Sequence, residues 1–457
     1  VPGTKNYGDA MSGGVPEVRY ARSGDVHIAY QTWGEGDRNL VIIPGAFSHL
    51  EINWDQPSFA ESTARFGRSG RVAIFDKRGT GLSDRNVGIA PLEVRMEDAR
   101  AVMDACGMES ATILGLSEGG PMAVLMAATY PERVDSLILY GSAPTWRARA
   151  DVPGSDLAEE TCRLLLAEIE EGFSEGRGFQ VFSGPELDTP EARKMVGRRW
   201  RNSASPSDAV QMFRMLAGID VCDALPLVSC PALIMAASLD PVGPAPSNRW
   251  MAEQIPQGRY EEFPGYHYCH IDPDVNERYM QLVEEFWAGA SRPDPVERAL
   301  ATVLFTDIVS STEAATRMGD AQWRRVLEQH DARCGAIVDR HGGRLVKSTG
   351  DGVLATFDGP GKAVRSAHDI ISDCRELGIE LRAGLHCGEV EVRPDGDVSG
   401  LAVHIASRVE SAAAPGEVLV SRTVADLTIG SELRFASRGE HALKGVEGAW
   451  ELFRSVA

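Results

Sequence analysis

Cysteine is scarce in this chain: eight residues among 457, at positions 106, 162, 222, 230, 269, 334, 374 and 387, with no C-x-x-C pair. That spacing excludes a disulfide scaffold and gives no zinc pattern, so reduced thiols and a cytoplasmic location are expected. Positive charge is also in short supply. Lys and Arg number 46 against 66 Asp and Glu, for a formal net charge of −20. A chain so acidic has no bulk attraction for phosphate backbones, which argues against nucleic acid as a partner. No apolar run approaches the length of a membrane span. The first sixteen residues lack the apolar core of a signal peptide and are rich in Gly and short polar residues, so a flexible N-terminus is expected over 1–16.

What is present is ordinary globular material, 43% hydrophobic and 25% charged, in a chain long enough for two or three domains. Ala290-Ser-Arg-Pro-Asp-Pro-Val296 reads as a linker over 290–297, because its prolines stop the helical pattern that ends near Trp287. Before it, over 17–289, the apolar runs Leu40–Ile43, Val72–Phe75, Ala111–Leu116, Ser136–Tyr140 and Ala232–Ala236 alternate with helical stretches. Such runs suit parallel strands buried on both faces, and the alternation predicts an α/β doubly wound sheet. Residues from about 145 to 225 break the rhythm with helix-forming sequence and read as a helical cap over one end of the sheet. After the linker, over 298–457, the predicted order is a strand at Ala301–Thr306 and one long helix over Glu313–His341. A hairpin of Leu345–Lys347 and Val353–Phe357 and a helix to about Leu377 come next. Two strands, Glu380–His386 and Glu389–Val392, and a helix over Leu401–Ala412 complete the order. That is the α+β ferredoxin-like split unit.

Gly115-Leu-Ser-Glu-Gly119 matches G-x-S-x-G, and it lies between the strand Ala111–Leu116 and the helical run Gly120–Thr129. This is the strand–turn–helix setting in which glycines allow a sharp turn that exposes a nucleophile, here Ser117. A serine nucleophile needs a base and an orienting acid. Asp240, just after Ala232–Ala236, stands where the acid belongs. The base is His267 or His270, both in Pro264-Gly-Tyr-His-Tyr-Cys-His-Ile-Asp272, and His267 needs the smaller shift in spacing. A metal held by His267, Cys269 and His270 lacks a fourth ligand in the sequence. Oxyanion donors are expected from the backbone N–H of Glu118 and of Ala46 or Phe47 in Pro44-Gly-Ala-Phe47. Together with Phe75-Asp-Lys-Arg-Gly-Thr-Gly-Leu-Ser-Asp84, these features make residues 17–289 resemble the α/β-hydrolase family. The resemblance implies a small ester or lipid-like ligand without choosing one. It leaves open whether this half hydrolyses that ligand or senses it.

In the second half, Phe305-Thr-Asp-Ile-Val-Ser-Ser-Thr312 places Asp307 at the end of a strand, and Gly350-Asp-Gly352 places Asp351 in a tight turn. Two carboxylates from adjacent strands suit two Mg²⁺ or Mn²⁺ ions. The helix that follows Asp307 offers backbone N–H groups to phosphates. Residues 298–457 resemble the class III nucleotidyl cyclase catalytic domain through five runs in order. These are Phe305–Thr312, Lys347–Gly352, Leu381–Gly388, Asp397-Val-Ser-Gly400 through Ala406-Ser-Arg408, and His441-Ala-Leu-Lys-Gly445. The resemblance implies that Asp307 and Asp351 bind two metal ions, with the Ile308 carbonyl assisting. By the same resemblance Lys347 and Asp397 recognise adenine, Arg408 stabilises the transition state, Lys444 holds the triphosphate and Arg382 binds phosphate more weakly. His404 stands where the family usually has Asn, and the expectation is a working but slower cyclase with unusual pH dependence. The family's site is shared between subunits, so one copy per chain implies a homodimer with ATP as substrate. The expected function is an adenylate cyclase with an N-terminal esterase-like enzyme or ligand sensor. The alternative is a serine ester hydrolase whose cyclase domain is weak or serves as a dimerising, nucleotide-binding module.

Overall fold

The computed structural model describes residues 14–88, 90–185, 187–267, 272–289, 298–392, 396–446 and 448–456. Most of the expected flexible N-terminus, the linker and His270 with Cys269 lie outside the described residues. The chain divides into two compact units, Val1–Pro295 and Val296–Ala457.

The first unit is built on strands β1 (Arg19–Ser23), β2 (Val26–Trp33), β3 (Asn39–Ile43), β4 (Arg71–Phe75), β5 (Ala111–Leu116), β6 (Val134–Tyr140), β7 (Ala232–Ala237) and β8 (Gly258–Phe263). They form one sheet in the order β1-β2-β4-β3-β5-β6-β7-β8. The pairs β1–β2 and β2–β4 are antiparallel, and every pairing from β4–β3 onward is parallel. The five expected apolar runs fall in the interior strands; every residue of β7 is buried. The sequence pattern missed β1, β2 and β8. β1 and β8 are edge strands with polar, partly exposed residues, so they carry no continuous apolar run.

Between β6 and β7 the chain forms helices Ser155–Gly172, Phe179–Ser183, Pro190–Ser203 and Pro206–Leu216. Two of them start with proline behind a capping hydroxyl: Thr189 accepts from the Ala192 N–H and Ser205 from the Asp208 N–H. The two ends of the insertion meet in an antiparallel bridge between Thr145 and Asp220.

The second unit contains β9 (Arg298–Ile308), β10 (Arg344–Ser348), β11 (Val353–Phe357), β12 (Leu381–Val392), β13 (Val398–Ser399), β14 (Val418–Ser421), β15 (Arg434–Ala442) and β16 (Ala449–Val456). Their order is β10-β11-β9-β12-β14-β16-β15, with β13 paired to β12. The first four strands in that row have the arrangement of the ferredoxin-like split unit, extended by β14, β16 and β15.

Two expectations need correction. The long helix over Glu313–His341 is two helices, Ser311–Met318 and Asp320–Arg340, separated at Gly319, whose φ of +78° breaks the helix. The strands Glu380–His386 and Glu389–Val392 are one strand, β12, paired with β9 through Gly388 opposite Ala301. Gly384 and Gly388 are not breaks. They mark where helix Leu401–Ala412 lies on the strand: a Cβ at Gly384 would overlap the Glu410 backbone, and one at Gly388 would sit 3.0 Å from the Ala402 Cβ.

Candidate functional site

Ser117 occupies the turn between β5 and helix Gly119–Thr129 with φ of +51°, in the left-handed region that a non-glycine residue rarely adopts. Its flanking glycines explain how so sharp a turn packs. A Cβ at Gly115 would sit 2.9 Å from the Gly120 Cα, and one at Gly119 would overlap the Ile43 carbonyl. The Ser117 N–H donates to the Tyr140 carbonyl at 2.9 Å, which pins the turn to β6.

At the ends of the neighbouring strands, His267 Nδ1 and Asp240 Oδ2 lie 2.7 Å apart, both almost fully buried. The other Asp240 oxygen accepts from the Val242 N–H at 2.8 Å and the Gly243 N–H at 3.2 Å. The Tyr140 hydroxyl donates to the His267 carbonyl at 2.8 Å and so ties the histidine loop to β6. Gly141 is a close approach: at φ +57°, its missing Cβ would lie 2.7 Å from His267 Cε1 and 3.2 Å from Asp240 Oδ2. Ser117, His267, Ala46, Phe47 and Glu118 line one cavity of about 200 Å³. Its other walls are largely apolar, with Trp200, Phe213 and Leu165 contributed by the helical insertion. Phe47 stands under that roof, its ring 4.9 Å from Trp200, 5.3 Å from Phe173 and 5.7 Å from Phe213.

Behind the turn is a charged cluster that the sequence pattern did not point to. The Glu118 carboxylate pairs with Lys77 and Arg95, and all three side chains are at most 5% exposed. Burial pushes Glu118 up, but Arg95 and Lys77 outweigh it and hold the carboxyl below its ordinary value. Burial brings Lys77 down to about 8, against the pull of Glu118 in the other direction. Lys77 Nζ also donates to the Pro44 carbonyl at 3.0 Å and the Gly45 carbonyl at 2.8 Å. In a planar trans peptide, a Gly45 carbonyl turned toward Lys77 turns the Ala46 N–H the opposite way. Lys77 therefore orients the loop of one candidate oxyanion donor while holding the side chain of the other, Glu118.

In the second unit, the β10–β11 hairpin turn rests on the end of β9. A Cβ at Gly352 would overlap the Thr306 carbonyl, and the Ile308 N–H donates to the Asp351 carbonyl at 2.8 Å. This contact brings the two carboxylate-bearing segments together. Asp307 Oδ2 accepts from Arg382 Nε at 3.1 Å and Nη2 at 2.6 Å, and Arg382 also pairs with Glu410 at 2.6 Å. Ser311 Oγ donates to Asp351 Oδ2 at 2.8 Å. Lys347 Nζ donates to both Asp397 oxygens, at 2.8 and 2.7 Å. His404 and Arg408, four residues apart on helix Leu401–Ala412, are both exposed on one face. Arg408 Nε donates to the carbonyl of Lys444 at 3.1 Å. The chain thus brings together Asp307 with Arg382, Lys347 with Asp397, and Arg408 with Lys444. Among the described residues, His404 and Arg408 make no hydrogen bond or ion pair with Asp307 or Asp351.

Comparison with known proteins finds two family matches in order along the chain. Residues 38–274 match the alpha/beta hydrolase fold, and residues 296–454 match the adenylate and guanylate cyclase catalytic domain. Among curated proteins, serine hydrolase BPHL of Mus musculus is 24% identical over 266 residues, 57% of this chain and 83% of that protein. The 3-oxoadipate enol-lactonase 2 of Acinetobacter baylyi is 26% identical over 254 residues, 54% of this chain and 89% of its own. Among solved structures, the adenylyl cyclase CyaB from P. aeruginosa covers 35% of this chain and 95% of its own, at 24% identity and a TM-score of 0.34. Among the described residues no helix is long and apolar enough to cross a membrane.

Proposed function

Because the chain belongs to the α/β-hydrolase fold family and carries an adenylate and guanylate cyclase catalytic domain behind that fold, we propose that it is an adenylate cyclase acting as a homodimer. It converts ATP to 3′,5′-cyclic AMP and diphosphate, and its N-terminal unit is an esterase-like enzyme or ligand sensor. The observation that carries the cyclase reading is the seating of the Asp351 turn on the end of β9, beside Asp307.

The donor set there is hard oxygen, and Arg382 engages only Oδ2 of Asp307, so the residues present fit Mg²⁺ or Mn²⁺. Asp307 and Asp351, with the Ile308 carbonyl, would hold two such ions, which when bound acidify the ribose 3′-hydroxyl and neutralise the attacking and leaving oxygens. Arg408 and Lys444 stabilise charge on the phosphates, and Arg382, paired with Asp307 and Glu410 in one chain, is a weaker phosphate-binding group. The Lys347 ammonium donates to N1 of adenine, and the Asp397 carboxylate accepts from its 6-amino group. Guanine reverses both polarities at these positions, so the pair favours ATP. His404 and Arg408, exposed together in one chain, are the groups offered to the metal half of a second copy.

In the first unit, Ser117 is the nucleophile, His267 the base and Asp240 the group that orients it. The N–H groups of Glu118 and Ala46 are the oxyanion donors. The largely apolar cavity suits a small ester or lipid-like ligand.

The test of the cyclase is incubation of the purified full chain with Mn²⁺ and either ATP or GTP, with Asp307→Ala as control. Cyclic AMP is expected to exceed cyclic GMP by at least about tenfold and to vanish in the control. Equal rates with both nucleotides would overturn the adenine assignment. In the hydrolase half, Gly141→Ala is expected to displace His267 and to lower kcat for a short-chain aryl ester by about 100-fold, with little change in KM. Steady-state kinetics on the variant, with circular dichroism to verify folding, checks this.

A further inference from the structure

Helices Asp320–Arg340 and Pro360–Arg375 of the second unit enclose a group of side chains that neither catalytic reading uses. His330 and Cys334 stand four residues apart, on one face of the first helix, and Cys374 faces them from the second. All three are fully buried, at 0% exposure. One ring nitrogen of His330 and the two sulfurs lie within 4.8 Å of one another.

A second observation points to a ligand. His330 Nδ1 is engaged by Asp331 Oδ1 at 2.9 Å, whereas Nε2 is buried and has no hydrogen-bond partner. An orphaned imidazole nitrogen in a core is costly. A histidine whose other nitrogen donates to a carboxylate has the orientation and basicity of a metal ligand. The two sulfurs are in mutual hydrogen-bond contact.

We propose that His330, Cys334 and Cys374 form a binding site for one Zn²⁺ ion, with a water molecule as the fourth tetrahedral ligand, separate from the carboxylates at Asp307 and Asp351. Imidazole and thiolate are the ligands zinc prefers, whereas Mg²⁺ and Mn²⁺ prefer oxygen. Two thiolates balance the charge of Zn²⁺, so the filled site is neutral, as a buried position requires. Ideal zinc geometry places two coordinating sulfurs roughly 3.8 Å apart. That spacing falls within the 4.8 Å that bounds all three ligand atoms here. The two helices are already strapped beside the cluster by Arg333, which pairs with Asp373 at 3.0 Å and Glu376 at 3.2 Å. The ion would fasten the helix that leads into β10, the strand bearing Lys347.

The test uses the reduced, metal-stripped full chain. Co²⁺, as a spectroscopic stand-in for zinc, is expected to give a thiolate-to-cobalt charge-transfer band at one equivalent per chain. The oxygen site at Asp307 and Asp351 cannot produce that band. Zn²⁺ is expected to quench it stoichiometrically and to raise the melting temperature by roughly 5 °C or more. Cys334→Ser and Cys374→Ser are each expected to lose the band, while Cys387→Ser keeps it. Absence of the band in the unmutated protein overturns the site, and that reading does not depend on any variant folding. Persistence of the band in a folded Cys334→Ser/Cys374→Ser double variant overturns it equally.

Discussion

Asp307→Ala and Arg408→Ala are each expected to lower cyclic AMP formation by at least about a hundredfold, and a mixture of the two variants is expected to recover activity. Each substitution removes a different half of the proposed site. Asp307 belongs to the metal half, seated with the Asp351 turn on the end of β9. Arg408 belongs to the exposed face of helix Leu401–Ala412, which in one chain has no hydrogen bond or ion pair to either carboxylate among the described residues. In a two-fold homodimer each site combines the metal half of one chain with the arginine half of the other. An Asp307→Ala/Arg408→Ala heterodimer therefore keeps one site with both halves intact and one with both defective. Random exchange makes half of the dimers mixed, each with one of two sites working, so the equimolar mixture should reach about a quarter of the unmutated rate. A cyclic AMP assay on the mixture, with sedimentation to verify dimers, reads this directly. A mixture no more active than its separate components would show that the site is complete within one chain, and the shared-site reading would fall.

What was legible in the sequence is what local chemistry dictates. The interior strands of the first unit are apolar because they are buried on both faces, and the Ser117 turn is a short pattern that needs only its own strand and helix to be recognised. The outer strands were not legible: β15, with seven of its nine residues exposed or charged, carries no core signature, and β1 pairs on one side only. Glycine misled in both directions. At Gly319 it breaks a helix that periodicity ran together, whereas at Gly388 it continues a strand that looked broken, because what it accommodates is a crossing helix. Of the two histidines in one loop, spacing favoured His267, and its Nδ1 lies 2.7 Å from Asp240 Oδ2, a distance that spacing alone does not carry; His270 lies outside the described residues. Least legible were groups assembled from distant segments. Lys77, Arg95 and Glu118 come from three different elements and meet only through the sheet, and Cys334 and Cys374 become neighbours only when two helices pack. In such cases each residue alone has an ordinary explanation, and the signal is the juxtaposition.

Ser117→Ala is expected to reduce kcat for a short-chain aryl ester by about 10⁴- to 10⁶-fold, and Asp240→Asn by about 10⁴-fold. The two losses differ because the residues do different work. In the proposed mechanism no acyl-enzyme forms without the Ser117 hydroxyl, and what survives is the water reaction aided by binding and by the proposed N–H donors of Glu118 and Ala46. With asparagine at 240 the nucleophile and base remain, but the group opposite His267 Nδ1 can now donate as well as accept, which favours the wrong tautomer. The double variant is expected to be no slower than Ser117→Ala alone, because the residues act as one unit and their effects do not add. An additive loss would mean that His267 and Asp240 serve something other than Ser117. The unmutated protein separates the two readings of this half. Turnover that disappears in Ser117→Ala makes the unit an esterase. Saturable binding of the ester in the largely apolar cavity, with no turnover above that of Ser117→Ala, leaves the same residues as the walls of a ligand sensor. In that case the His267–Asp240 pair is a buried structural contact, and Asp240→Asn should alter stability while leaving ligand affinity almost unchanged.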